Sequence, residues 1–198
     1  MAALPTASVC GLVLAAGAGT RFGGPKAFAR TPDGTPWLAL AVRMLQDAGC
    51  GRVLVALGAS ADDAAALVPH HAQIVRVDDW AEGLSATLRA GLGAASRADA
   101  DAVLVTPVDT PDAPVAAAAR VLAAAGGGRA ALARATYDGE PGHPVLIGAE
   151  HFAELAASLA GDRGAGPYLR AHGAVAVECG DLWSGADIDW SGADIDRR

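Results

Sequence analysis

Short apolar runs alternate with stretches of helical spacing, and the alternation repeats up to residue 125. Residues 9–14 are apolar throughout and stop at a glycine-rich loop, the pattern of a strand buried on both faces. Residues 37–48 carry apolar positions at helical spacing, with Gly49 as the expected C-cap. Residues 52–57 read as a second strand, and 62–68 as a short helix with Ser60 as N-cap. Residues 74–77 make a third strand, 85–94 a helix and 102–106 a fourth strand. Residues 114–125 form a helix with proline in its first turn, ended by Gly126-Gly127-Gly128. Such alternation predicts an α/β fold: a three-layer, Rossmann-like, mostly parallel sheet with helices on both faces.

Beyond residue 125 the pattern loosens. Strands are expected over 130–135, 144–147 and 175–178, helices over 150–159 and 166–172, and a polar loop over 137–142. This irregular part is expected to cover a ligand. The tail repeats itself: Ser184-Gly-Ala-Asp-Ile-Asp-Trp190 is followed by Ser191-Gly-Ala-Asp-Ile-Asp196. Two copies are too few for a solenoid, so a local duplication is expected, of which one copy need function. The 198 residues fit one domain, 1–198.

Composition narrows the class. Much of the 52% hydrophobic fraction is alanine. The net charge is −7 and the arginines are scattered, which argues against nucleic acid and for a small anionic ligand held locally. Cys10, Cys50 and Cys179 are widely spaced and form no Cys-x-x-Cys pair, so reduced thiols are expected. The first eight residues lack a signal-peptide pattern, and no apolar run has the length of a membrane span. A soluble cytoplasmic protein is expected.

The chemistry concentrates at two strand ends. Lys26 is the sole lysine; every other basic side chain is arginine. It follows the strand and loop Leu14-Ala15-Ala16-Gly17-Ala18-Gly19-Thr20-Arg21-Phe22-Gly23-Gly24-Pro25. Glycines let successive N–H groups form an anion-binding concavity, to which Arg21 and Lys26 add charge. Lysine supplies a compact, rotatable charge where arginine supplies a planar fork. The loop is neither a Rossmann fingerprint, because Phe22 stands where the third glycine belongs, nor a Walker A loop, because Pro25 precedes and Ala27 follows the lysine. Asp109 lies between Pro107 and Pro111 at the end of the fourth strand, where a carboxylate is placed to bind Mg²⁺. The alternative, a helix cap, fits Asp112 better. Asp187 and Asp189, with Asp194 and Asp196 as duplicates, are either a second metal carboxylate or a solvated acidic tail. His143 is either an acceptor contact or loop packing, and Arg163 either an acceptor-phosphate ligand or a surface arginine. Trp80 packs a nucleotide loop or a core, and His70-His71 read as surface.

The segment from Leu14 to Lys26 resembles the signature loop of the MobA-like nucleotidyltransferases. Trp80-Ala-Glu-Gly-Leu-Ser-Ala-Thr-Leu-Arg-Ala-Gly-Leu92 is similar to that family's second segment, and Thr106-Pro-Val-Asp109-Thr-Pro111 to its metal-binding turn. Gly142-His-Pro-Val-Leu-Ile147 and Gly161-Asp-Arg-Gly-Ala-Gly166 follow in the family's order. The Glu-Gly-Leu-Ser, Gly-His-Pro-Val and Gly-Asp-Arg-Gly segments resemble the molybdenum cofactor cytidylyltransferase branch. Asp-Thr-Pro at 109–111 also occurs in the guanylyltransferase branch, and Trp190-Ser191 departs from the family's usual tail.

The resemblance implies Mg²⁺-dependent transfer of NMP from an NTP, CTP favoured over GTP, to a molybdopterin-type phosphate. It implies catalytic roles for Arg21, Lys26 and Asp109, with Asp109 and Asp189 on the metal. It implies nucleotide contacts from Leu14, Ala15, Ala16, Gly17, Gly19, Arg21 and Lys26, and from Asp78, Gly83, Leu84 and Ser85. His143 and Arg163 would meet the acceptor, and a molybdoenzyme or chaperone would be the protein partner. Transfer to a sugar or polyol phosphate, or nucleotide binding by a catalytically inactive regulator, are the competing readings.

Overall fold

The computed structural model describes residues 7–189. Seven strands form one sheet: β1 (Val9–Ala15), β2 (Arg52–Leu57), β3 (Gln73–Arg76), β4 (Ala102–Pro107), β5 (Leu132–Tyr137), β6 (Glu140–Gly148) and β7 (Val175–Glu178). Their order is β3-β2-β1-β4-β6-β5-β7. The first four strands pair in parallel, β6 runs antiparallel to β4 and β5, and β7 returns parallel to β5. The helices are α1 (Trp37–Asp47), α2 (Ala61–Ala64), α3 (Leu84–Arg97), α4 (Val115–Ala125), α5 (Phe152–Ser158) and α6 (Gly166–Ala171).

The continuous apolar runs feed two cores, because successive strand residues point to opposite faces. Val13, Val55 and Leu104 pack with α1 and α4 on one side. Leu12, Leu54 and Val105 pack with α3, α5 and α6 on the other. Gly91 brings α3 directly onto β1, since a Cβ there would overlap the Leu12 side chain. The expected three-layer architecture is therefore present, with β1 and β4 side by side at its centre. From β1 the chain moves outward one way through β2 and β3, and on the other side lie β4 and β6. Ligands bind at such a switch point, beyond the carboxyl ends of the strands.

Three local expectations need correction. Ser60 does not cap α2 with its side chain. Its backbone is left-handed (φ 57°), and its carbonyl instead accepts from Ala64 N at 3.0 Å. Asp112 does not cap α4; Pro114 occupies the N-cap position, and Asp112 accepts a hydrogen bond from Trp183 Nε1 at 3.0 Å. The 137–142 stretch is a tight hairpin. Asp138 and Gly139 both have positive φ, as a type I′ turn requires, and pairing resumes at Tyr137 and Glu140. The Glu178 carboxylate accepts from Asp138 N at 3.0 Å and Gly139 N at 3.2 Å, which fixes the turn.

The three cysteines are free and buried, and burial pushes the Cys50 thiol up to about 12. His70 and His71 are exposed. Among the described residues no helix is long and apolar enough to cross a membrane.

Tyr137 fastens the hairpin to the tail. Its hydroxyl donates to the His143 carbonyl at 2.6 Å, and its ring meets Trp183 edge-on at 5.3 Å. Burial, then the neighbouring Cys179 and Glu178, push this phenol up to about 12. Burial also raises Tyr168. A phenol raised on folding contributes stability that is full below its unfolded pKa near 10.0 and fades as pH climbs towards 12. Absorbance titration of the folded protein is expected to show the Tyr137 tyrosinate step well above pH 10, with urea stability declining above that pH. A complete step at pH 10 in folded protein would contradict the packing described.

Candidate active site

Beyond Ala15 the chain leaves β1 and folds back on itself. Gly19 (φ 60°) and Gly23 (φ 93°) take left-handed conformations that other residues rarely adopt. The Gly19 carbonyl accepts from Phe22 N at 3.0 Å and Gly24 N at 3.1 Å, which closes the loop. A Cβ on Gly19 would overlap the Gly24 carbonyl oxygen, so the closure itself demands glycine. Among the described residues, the N–H groups of Gly17 to Arg21 donate to no protein acceptor outside regular elements. They are free to meet solvent or a ligand, as an anion concavity requires.

The loop delivers Lys26 to the end of β4. The Lys26 Nζ lies 2.8 Å from Asp109 Oδ2 and 3.0 Å from Asp189 Oδ1. Phe22 supports the ammonium with its ring centroid 5.8 Å away, and itself packs on Trp37. Burial alone would lower the lysine pKa, but the hydrogen bonds and charges of Asp109 and Asp189 outweigh it and raise it. The Lys26 hydrogen bond and charge hold Asp189 below the ordinary carboxylate range, with Arg21 adding a smaller pull.

Asp109 is fixed by the strand ahead of it. Val108 N donates to Leu14 O at 3.0 Å, and Thr110 Oγ1 donates to Pro107 O at 3.1 Å. The tail reaches the same place by a long route. It leaves β7, is pinned by Trp183 against Tyr137 and Asp112, and joins Asp109 through Ile188 N at 2.9 Å from its carbonyl. Gly185 (φ 76°) makes the passage, because a Cβ there would overlap the Tyr137 ring. Asp194 and Asp196, the repeat's second copy, lie outside the described residues, as do Trp190 and Ser191.

The carboxylate cluster fits a divalent cation. Asp109, Asp187 and Asp189 each offer an oxygen, all within 4.8 Å of one another. The Asp109 Oδ1 is buried with no hydrogen-bond partner. An all-oxygen set with an orphaned buried carboxylate oxygen suits a hard cation such as Mg²⁺.

These groups share an open cleft of about 1040 Å³, at the upper end of the range for small-molecule sites. Leu14, Ala15, Ala16, Gly17, Gly19 and Arg21 form one wall with Lys26. Gly83 and Leu84 form another, and Asp109, Asp189 and His143 the floor. Trp80 lines the cleft and also packs on the core. His143 Nδ1 is buried without a partner; burial lowers the imidazole pKa, against the charges of Asp109 and Asp187.

Three expected site residues are not brought to this cleft. Ser85 is buried beneath the wall, its N–H donating to Gly161 O at 3.0 Å. Asp78 lines a separate hollow beside Asp62, Asp63 and Arg76. Arg163 is exposed and off the wall, although Asp162 and Gly164 on either side line it. The sequence reading missed Arg134, which lines the cleft from β5. The only local signal was one arginine between two alanines in a strand.

The model of the MobA-like NTP transferase domain matches residues 11–176. The chain belongs to the MobA-like NTP transferase family. It is 34% identical over 192 residues to a protein of Paenarthrobacter nicotinovorans named nicotine blue oxidoreductase, covering 91% of this chain and 92% of that one. It is 35% identical over 191 residues to a molybdenum cofactor guanylyltransferase of Burkholderia ambifaria, covering 91% of each. Among solved structures, the Mycobacterium tuberculosis Rv0371c homologue from Mycobacterium sp. strain JC1 superimposes with a TM-score of 0.80 at 30% identity. That match covers 96% of this chain and 94% of that one. A nucleotidyl transferase of Methanothermobacter thermautotroptrophicus shares the fold, with a TM-score of 0.75 at 21% identity, covering 96% and 95%.

The loop geometry is testable within this MobA-like chain. Gly19→Ala is expected to cost roughly 1–3 kcal/mol in urea unfolding, from a left-handed φ and a backbone overlap. Gly17→Ala, which meets nothing within 4 Å, should stay within about 0.5 kcal/mol of wild type. Equal costs at the two positions would mean that the loop is not closed as described.

Proposed function

We propose that this chain transfers a nucleoside monophosphate from an NTP to the phosphate of a molybdopterin-type cofactor and releases pyrophosphate. The observation that carries the reading is the convergence of Lys26, Asp109 and Asp189 beside a loop of unpaired N–H groups. The name of the B. ambifaria relative supports the molybdenum-cofactor acceptor and weighs toward GTP. The Glu82-Gly83-Leu84-Ser85 and Gly142-His143-Pro144-Val145 segments weigh toward CTP, which we favour with GTP as the alternative. The reading takes 1–198 as one domain at work in the cytoplasm, without nucleic acid or membrane and with a molybdoenzyme or chaperone as recipient of the product.

An oxygen of the acceptor phosphate forms a bond to the α-phosphorus of the NTP. The bond from that phosphorus to the α–β bridging oxygen breaks, and its electron pair leaves with pyrophosphate. The attacking phosphate is already anionic, so no strong general base is needed, and catalysis reduces to positioning and charge neutralisation. The N–H groups of the glycine loop hold the triphosphate, and Arg21 and Lys26 neutralise it. Asp109 and Asp189 would hold Mg²⁺, with Asp187 in reach, and the ion would supply Lewis-acid neutralisation of phosphate oxygens. Gly83, Leu84 and His143 line the cleft; under this reading the first two would border the nucleotide and His143 the acceptor.

A second reading rests on the P. nicotinovorans relative, whose name describes an oxidoreductase. Pyrophosphate release on mixing with NTP, Mg²⁺ and a molybdopterin-type acceptor separates the two readings. Reductant consumption without any requirement for NTP would favour the second.

Under the first reading, Lys26→Ala and Asp109→Ala should each lower pyrophosphate release by roughly 100-fold or more while thermal unfolding stays cooperative. Turnover near wild type in either variant refutes the assigned roles.

A further inference from the structure

Arg134 is an arginine in an apolar wall. It occupies the one position of β5 that is not buried. Its register partner on β6 is Val145, and Val145, Ile147 and Leu169 line the same part of the cleft. Among the described residues no carboxylate lies within salt-bridge distance of it, whereas Arg76, Arg120 and Arg129 each have one. Its charged neighbour is a second cation. Burial and then the charge of Arg170 both press on the guanidinium and lower its pKa. Arg170 folds back over Gly166, which itself lines the cleft; its Nη1 lies 3.8 Å from where a Gly166 Cβ would stand. Arg134 is half-buried, and partly desolvating a cation beside apolar side chains carries a cost that an anion would offset. A guanidinium fork matches the oxygens of a phosphate, and a second cation nearby adds charge to it.

The position along the cleft assigns the anion. The glycine loop and Arg21 lie at the β1 side, and Arg134 lies across the sheet on β5, two strands beyond β4. His143 stands between, close enough to feel the charges of Asp109, Asp187 and Arg134. We propose that Arg134, assisted by Arg170, is the binding seat for the acceptor's phosphate monoester. It would thereby replace Arg163 as the acceptor-phosphate ligand. This rests on the nucleotidyl-transfer reading and assigns the side chains that hold the acceptor phosphate named there.

The test separates this seat from the reading beneath it. α,β-Methylene CTP and α,β-methylene GTP with Mg²⁺ are first tried by thermal shift on wild type, R134Q and R170Q; a ligand of the native state raises the unfolding temperature. Inorganic phosphate is then titrated by calorimetry, with and without the analogue. The expected result is equal stabilisation of all three proteins by the analogue, and phosphate binding weakened roughly tenfold or more in R134Q. R170Q should show a smaller loss, and R134K should recover part of the affinity through its charge. Stabilisation by the analogue with phosphate affinity unchanged in R134Q and R170Q overturns the seat and leaves nucleotidyl transfer standing. No stabilisation by either analogue, with phosphate binding still dependent on Arg134, supports the seat and counts against nucleotidyl transfer. Absence of phosphate binding to wild type under both conditions overturns the seat. R170Q carries the test alone if R134Q does not fold.

Discussion

The ammonium of Lys26, held between Asp109 and Asp189, joins three segments that are remote in sequence. Without it the carboxylates of Asp109, Asp187 and Asp189 would face one another within 4.8 Å. Like charges so placed repel one another, though solvent screens the exposed Asp187. The lysine offsets part of that repulsion. The carboxylates still outnumber it, so the cluster keeps a deficit of positive charge that a divalent cation matches. Under the proposed reading the same ammonium would turn towards the triphosphate.

The fold serves this arrangement. Parallel pairing of β1 with β4 puts the glycine loop and Asp109 at adjacent strand ends. The antiparallel β5–β6 pair then brings His143 and Arg134 to the same end of the sheet. The tail closes the circuit, and it does so through packing: Tyr137 on Trp183, Gly185 under Tyr137, and Ile188 on the Asp109 carbonyl. Cations line both ends of the cleft and acids its middle, an order suited to bringing two phosphates together.

Much of the sheet was legible in the sequence, because residues 9–14, 52–57 and 102–106 are apolar runs ended by turn residues. The loop from Gly17 to Lys26 was legible for the same reason: its glycines have a local backbone purpose. Where tertiary contacts replace local ones, legibility fails. Ser60 has the chemistry of a cap but the wrong backbone, and Asp112 is claimed by Trp183 from 71 residues away. The polar hairpin at 138–139 is held by Glu178, which no local pattern announces. Arg134 is the instructive miss. Its neighbours Ala133 and Ala135 mark a strand, but only the sheet order reveals that its open face is a cleft wall.

The chain's single lysine makes its central interaction directly observable. Protein labelled with ¹⁵Nζ-lysine has one side-chain ammonium signal, that of Lys26. In the nucleotide-free protein the signal should show a restrained ammonium with slowly exchanging protons, as pairing with two carboxylates requires. Titration with CTP or GTP and Mg²⁺ should shift it as the ammonium turns to the triphosphate. A freely rotating, fast-exchanging ammonium in the free protein, or a signal unmoved by saturating nucleotide and Mg²⁺, contradicts the account.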